Sequence, residues 1–253
     1  MTESNIYKEY FLTLKNYLNI LEIDKNEILG CNDNNISILQ TKYGKLPLAY
    51  EEFLRNIGAR NLFEFMNAED MSYDNHEIIY DFYCEVFEGN LDTTNANYIP
   101  ISERYMDYII LIKRDKENPE VCSPKSCYGT NKEIETLHST FTDMINMFFK
   151  QSLNNHSYSF YFVSSNTKNP EKNFKKNISK YIKSLNKIEE IILKYDKDNY
   201  LINDLNNIFL NYINKVNSSD NNDYETAIQQ MSPKVDKKNI LSRILNYFKL
   251  KLK

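Results

Sequence analysis

Four cysteines and three histidines are the residues best equipped for catalysis or metal binding in this 253-residue chain, and their spacing points away from both. Cys122 and Cys127, with four residues between them, join His138 as three side chains that zinc accepts. A structural zinc site needs a fourth ligand, usually from a matched second pair, and no such pair follows. His76, His138 and His156 stand in no H-E-x-x-H arrangement. Ser139 follows His138 directly and Cys84 has acidic neighbours, yet residues adjacent in sequence seldom face each other as nucleophile and base. Glu135 and Asp143 form no carboxylate pair without an assumed fold. The glycines at 30, 44, 58, 89 and 129 are too dispersed for a phosphate-cradling loop. These absences lead to the expectation of no catalysis, no cofactor, no metal and no small-molecule substrate. The dispersed cysteines fit reduced thiols better than a disulfide scaffold.

The charged residues carry a more specific message. Residues 1–167 hold 14 Lys and Arg against 25 Asp and Glu, whereas residues 168–253 hold 17 against 10, so a net charge of −4 conceals halves of −11 and +7. No Lys or Arg occurs between Arg60 and Arg104, while Glu64, Glu69, Asp70, Asp74, Glu77, Asp81, Glu85, Glu88, Asp92 and Glu103 all do. Burying a carboxylate without a partner costs several kcal/mol, so this block is expected to make an exposed negative surface. Tyr73, Tyr80, Phe82 and Tyr83 are interleaved with it. Acids that steer beside aromatics that anchor suit the capture of a basic protein. The same composition also fits a solvated face whose aromatics belong to the core, or a face paired with the chain's own basic half.

Apolar spacing shows which elements must position that surface. Tyr7, Tyr10, Phe11, Leu14, Tyr17, Leu18 and Leu21 recur at steps of three and four, the signature of an amphipathic helix opening near Ser4. From Leu46 to Gly58 a second helix is marked, with Pro47 suited to its first position and Gly58 to a left-handed end. Its stripe is Tyr50, Phe53, Leu54 and Ile57. Ile78, Ile79, Phe82, Val86 and Phe87 fit either a helix face or a strand. Residues 107–113 read as a central strand covered on both sides, residues 115–124 with two prolines as a surface loop, and residues 158–163 as a further strand.

The motif LP-x-x-Y-x-x-FL-x-x-x-G, realised here from Leu46 to Gly58, resembles the helix that marks the SUKH superfamily, also called the SMI1/KNR4 family. Ile36 to Gly44 resembles the helix ending in glycine that precedes it, with Gln40 standing where the pattern has a glutamate. Tyr98–Ile101 and Asp107–Ile112 resemble the paired strands, and Ser139–Ile145 the closing helix, so the resemblance spans about residues 30 to 150. It implies an α+β fold, a mainly antiparallel sheet flanked by helices, and a non-enzymatic binding role. Bacterial members are largely immunity proteins that neutralise a cognate polymorphic toxin, and fungal members are regulatory interaction proteins. The residues from Ala59 to Asn97, where members diverge, hold the acidic block.

Residues 168–253 are rich in Lys, Asn and Ile, and read as a separate all-α extension. Ile178, Tyr181, Leu185, Ile188, Ile192 and Tyr195 make a coiled-coil-like seam; Leu201, Leu205, Ile208, Tyr212 and Ile213 make a second face, and Ile240 to Phe248 a last helix. The domain expectation is therefore a SUKH-like domain over 1–167 and a basic helical extension over 168–253, whose seam leaves a homodimer open. No run approaches the roughly 20 apolar residues of a membrane span, and Met1 to Tyr10 lacks a basic segment before an apolar one, which favours a cytoplasmic protein. The lysines of the extension lack the Arg-rich strip of a nucleic-acid binder, so no direct nucleic-acid contact is expected. The leading functional expectation is an immunity protein meeting a basic, nuclease-type toxin through Glu64, Glu69, Asp70, Tyr73, Asp74, Glu77, Tyr80, Asp81, Glu85 and Glu88. The alternative is a regulatory or scaffolding protein whose helical tail binds a partner or a membrane surface.

Overall fold

A computed structural model describes residues 3–21, 28–60, 71–87, 97–104, 108–128, 133–155 and 200–218. By its contacts the chain divides into Met1–Leu210, which holds the sheet and the core, and Asn211–Lys253, described only as the end of the last helix. Three helices come first, α1 (Glu3–Ile20), α2 (Asp33–Tyr43) and α3 (Leu48–Asn56). A single 3₁₀ turn, Tyr73–Asn75, leads into α4 (His76–Val86). Four strands follow, β1 (Tyr98–Arg104), β2 (Tyr108–Lys113), β3 (Val121–Pro124) and β4 (Ile134–His138), then α5 (Phe141–Asn155) and α6 (Tyr200–Ser218). The strands form one antiparallel sheet in the order β1-β2-β3-β4, so the fold is α+β, a helix-flanked antiparallel sheet with a further helix toward the C-terminus.

The helices begin and end for identifiable reasons. Asn32 caps α2 by accepting from the Asn35 N–H at 2.9 Å, while the Asn35 side chain accepts from the Asn32 N–H at 3.2 Å. Gly44 closes α2 at φ 76°, a conformation that favours glycine. The left-handed residue anticipated at Gly58 is thus at Gly44 instead. Gly58 is required by crowding, because an added Cβ would lie 2.8 Å from both Leu54 Cα and Phe53 Cε1. Pro47 takes the cap position of α3 with an extended ψ of 137°, one residue before its expected place. At the other end of that helix, the Lys15 ammonium donates to the Asn56 carbonyl at 3.0 Å, a cation where the helix dipole is negative.

The family-like stripe of α3 is core. Tyr50, Phe53, Leu54 and Ile57 are all buried. Phe53 meets Phe141 of α5 edge-on at 5.6 Å and Phe11 of α1 at 5.8 Å, geometries that suit ring quadrupoles. Gln40 donates to Glu51 at 3.3 Å, and Arg55 binds Glu51 and Asp33. A glutamate at position 40 would set a second carboxylate beside Glu51, where Gln40 instead donates a hydrogen bond.

Residues 107–113 behave as expected of a central strand: Ile109, Ile110, Leu111 and Ile112 are all buried, so both faces of β2 are covered. The expected surface loop over residues 115–124 is only half loop. Val121–Pro124 is a wholly buried inner strand, tolerated because its proline is the last strand residue. The preceding turn ties two helices down. Glu117 O accepts from the Ala49 N–H of α3 at 2.9 Å, and the Asn118 side chain accepts from Thr142 N–H and donates to Thr142 Oγ1 at the start of α5. β1 is an edge strand that admits Pro100, with its register to β2 shifted by one residue between Pro100 and Ser102.

In α6, Ile202, Leu205 and Phe209 are buried, so the inward face is turned from the expected one, and Leu201 and Ile208 are only half-buried. Tyr17 of α1 stacks on Phe209 at 4.0 Å and on Phe149 of α5 at 6.3 Å, and its hydroxyl donates to Asn206 Oδ1. Residues 158–163, the seam from Ile178 to Tyr195, the helix from Ile240, and the boundary expected at 167/168 lie outside the described residues.

Candidate functional site: the acidic face of the fourth helix

The ambiguous run after Asn75 is helical, and that outcome organises the acidic block. Ile79, Phe82, Tyr83 and Val86, at i, i+3, i+4 and i+7, are buried, and Phe82, Tyr83 and Val86 pack with Phe87 against Ile109 and Leu111 of β2 and with Cys122 and Cys127. Phe82 and Tyr83 are therefore core aromatics. The opposite side of the helix carries Glu77, Asp81 and Glu85 one turn apart, with Asp74 just before it, and all four are exposed. Ile78, expected on the apolar face, instead stands among these acids at 56 % exposure.

Two aromatics border the stripe. Tyr73 stacks on His76 with ring centroids 4.9 Å apart, and His76 Nδ1 lies 2.8 Å from Tyr73 O. Tyr80 is half-buried and lies beneath Lys42, whose ammonium sits 3.8 Å from the ring centroid and 2.8 Å from Glu77 Oε2. Glu77 Oε1 is also 2.8 Å from His76 Nε2. The Lys42 hydrogen bond foremost, with help from His76, holds the Glu77 carboxyl below the usual carboxylate range. Tyr43 meets Tyr80 edge-on at 5.9 Å. Burial, followed by Tyr50, Tyr80, Glu77 and Cys84, drives the Tyr43 hydroxyl far above its usual pKa.

Of the residues singled out in sequence, Tyr73, Asp74, Glu77, Tyr80, Asp81 and Glu85 come together on this one face. Glu64, Glu69, Asp70 and Glu88 lie outside the described residues. Lys42 was not singled out. It belongs to α2, and nothing local signals that its ammonium crosses to α4.

Ser139 and Asp143 have definite partners. Ser139 Oγ donates directly to Asp143 at 2.5 Å, while Asp143 N–H donates to Thr140 Oγ1 at 3.1 Å; both contacts fasten the first turn of α5. A nucleophile bound straight to the carboxylate leaves no place for a histidine between them. Burial lowers the pKa of His138 against the pull of Asp143. Cys122 and Cys127 are packed in the apolar cluster under α4. Among the described residues no three Cys, His, Asp or Glu side chains converge as metal ligands, and no helix is long and apolar enough to cross a membrane.

A helix-flanked antiparallel sheet that presents a charged helix face is compatible with a protein-interaction module, though the fold alone does not fix a function. Comparison with family models makes this specific: residues 30–147 match the model of the SMI1/KNR4 family (SUKH-1). No curated protein and no solved structure matched the chain. Helices α1 and α6 lie outside the matched segment; Phe11 of α1 packs on Phe53 and Phe141 within it, while Phe209 of α6 packs on Tyr17 and Phe149.

Proposed function

We propose that this protein is a non-enzymatic immunity protein that neutralises a cognate toxin by direct binding, with the acidic face of α4 as its contact surface. The observation that carries the proposal is the segregation of Asp74, Glu77, Asp81 and Glu85 around the exposed Ile78. Such a face attracts a basic partner over about a Debye length, roughly 8–10 Å at physiological salt, and offers an apolar contact once the two meet. A toxin that acts on nucleic acid meets the phosphates with Lys and Arg, so the substrate groove of a nuclease fits the sign of the field. Glu64, Glu69, Asp70, Tyr73, Tyr80 and Glu88 complete the proposed contact set. The proposal has the protein in the cytoplasm, occluding the toxin's substrate groove without covalent chemistry. The regulatory alternative relies on a helical tail free to bind elsewhere, and the buried face of α6 between Tyr200 and Leu210 is already used within the chain.

The test is co-expression with the toxin encoded beside its gene, together with titration of the purified pair. Restored growth and a stoichiometric complex are expected. Growth arrest undiminished by the protein, with no complex at micromolar concentration, would overturn the proposal.

A further inference from the structure

The contact between Lys42 and α4 has the parts of a cation-binding site. The Tyr80 ring supplies a π face at 3.8 Å and Glu77 a carboxylate oxygen at 2.8 Å. The site opens outward, since the Glu77 side chain is 64 % exposed and that of Lys42 21 %. An ion pair so exposed is weak, so its occupant exchanges easily. Beneath it Tyr43, only 6 % exposed and edge-on to Tyr80, buries a hydroxyl with no hydrogen-bond partner among the described residues. A buried hydroxyl left without a partner is costly.

Lysine fills this arrangement incompletely. Its ammonium is a point charge that engages the ring and one carboxylate oxygen. A guanidinium is flat, stacks on an aromatic face, pairs with a carboxylate through two N–H groups and retains further donors for a phenolic oxygen. We propose that Lys42 is a placeholder in a cation site formed by Tyr80, Glu77 and Tyr43, and that an arginine of the basic partner enters the site in its place. This rests on the reading that the α4 face receives a basic protein, and it names the residue type that face selects.

The test uses the full chain with N-acetyl-L-arginine amide as probe, and the lysine and citrulline analogues as controls, followed by NMR of labelled tyrosine rings. Lys42→Met vacates the charge but keeps the apolar stem over the ring. The variant is expected to bind the arginine probe about fivefold more tightly than the wild type, to bind the lysine analogue less well, and to ignore citrulline. Adding Tyr80→Leu should abolish the gain. Equal affinity of wild type and Lys42→Met, or equal binding of arginine and citrulline, would overturn the proposal. Thermal melts check that each variant folds, and Lys42→Gln carries the same expectation should the methionine variant not fold. Arginine binding without toxin neutralisation would leave this site standing and remove the immunity reading. Neutralisation with unaltered probe binding in Lys42→Met would do the reverse.

Discussion

A methyl group added at Gly58 would meet the Leu54 backbone and the Phe53 ring at 2.8 Å, so Gly58→Ala is expected to destabilise the fold by about 1–3 kcal/mol, read from the urea midpoint. At Gly30 the added carbon would lie 1.8 Å from the Arg55 carbonyl oxygen, and the same substitution there should cost more than at Gly58. Glu120 offers a pH-dependent test. Hydrogen bonds from Lys113 and then Lys116 lower its carboxyl pKa to about 2, whereas an unfolded glutamate titrates near 4.3. Its folded value is depressed, so its contribution is complete above about pH 4.3 and drains as pH falls toward 2. The stability difference between wild type and Glu120→Gln should therefore shrink across that window; a pH-independent difference would contradict the assignment. Thiol labelling provides a further check. Burial pushes the Cys31 thiol up to about 12, and Cys122 and Cys127 are buried, whereas Cys84 is half-exposed. Mass mapping after brief alkylation at neutral pH should find Cys84 modified first.

Among the elements, α1 and α3 were legible from their three-and-four apolar spacing, α3 also from Pro47 and Gly58 at its ends, and α2 from the resemblance and its closing Gly44. The strand β2 was legible from four consecutive apolar residues. β3 was not, because the prolines at 119 and 124 made a short buried strand look like a loop. β4 alternates too weakly to declare itself, with Glu135 and Thr136 both exposed. In α4 the apolar residues satisfied two periods at once, and burial against β2 decided for the helix. The register of α6 depended on partners about 190 residues away in sequence, which local spacing does not encode. Those partners make α6 part of the core. Phe209→Ala should cost about 3–5 kcal/mol in an unfolding titration, because its ring fills space against Tyr17. A change within about 0.5 kcal/mol would mean that α6 is dispensable to the domain.

Across the whole molecule the acidic block could be read from composition, but its shape could not. Ten acids without an intervening Lys or Arg implied an exposed negative surface. That Asp74, Glu77, Asp81 and Glu85 align along one helix depended on α4 being helical, and that Lys42 lies across Tyr80 and Glu77 depended on the tertiary packing of α2 against α4. Stability rests on the buried stripes of α1, α3, α5 and α6, and the proposed contact on the outer side of α4. The most direct test reverses the three acids of that side for which no ion pair is seen among the described residues. Asp74→Lys, Asp81→Lys and Glu85→Lys are introduced together, and the affinity for the toxin is measured against salt beside the wild type. The account predicts an unaltered melting temperature to within a few degrees, affinity reduced by about a hundredfold or more at low salt, and a flattened salt dependence. A folded triple variant that binds the toxin with wild-type affinity and salt dependence would contradict it.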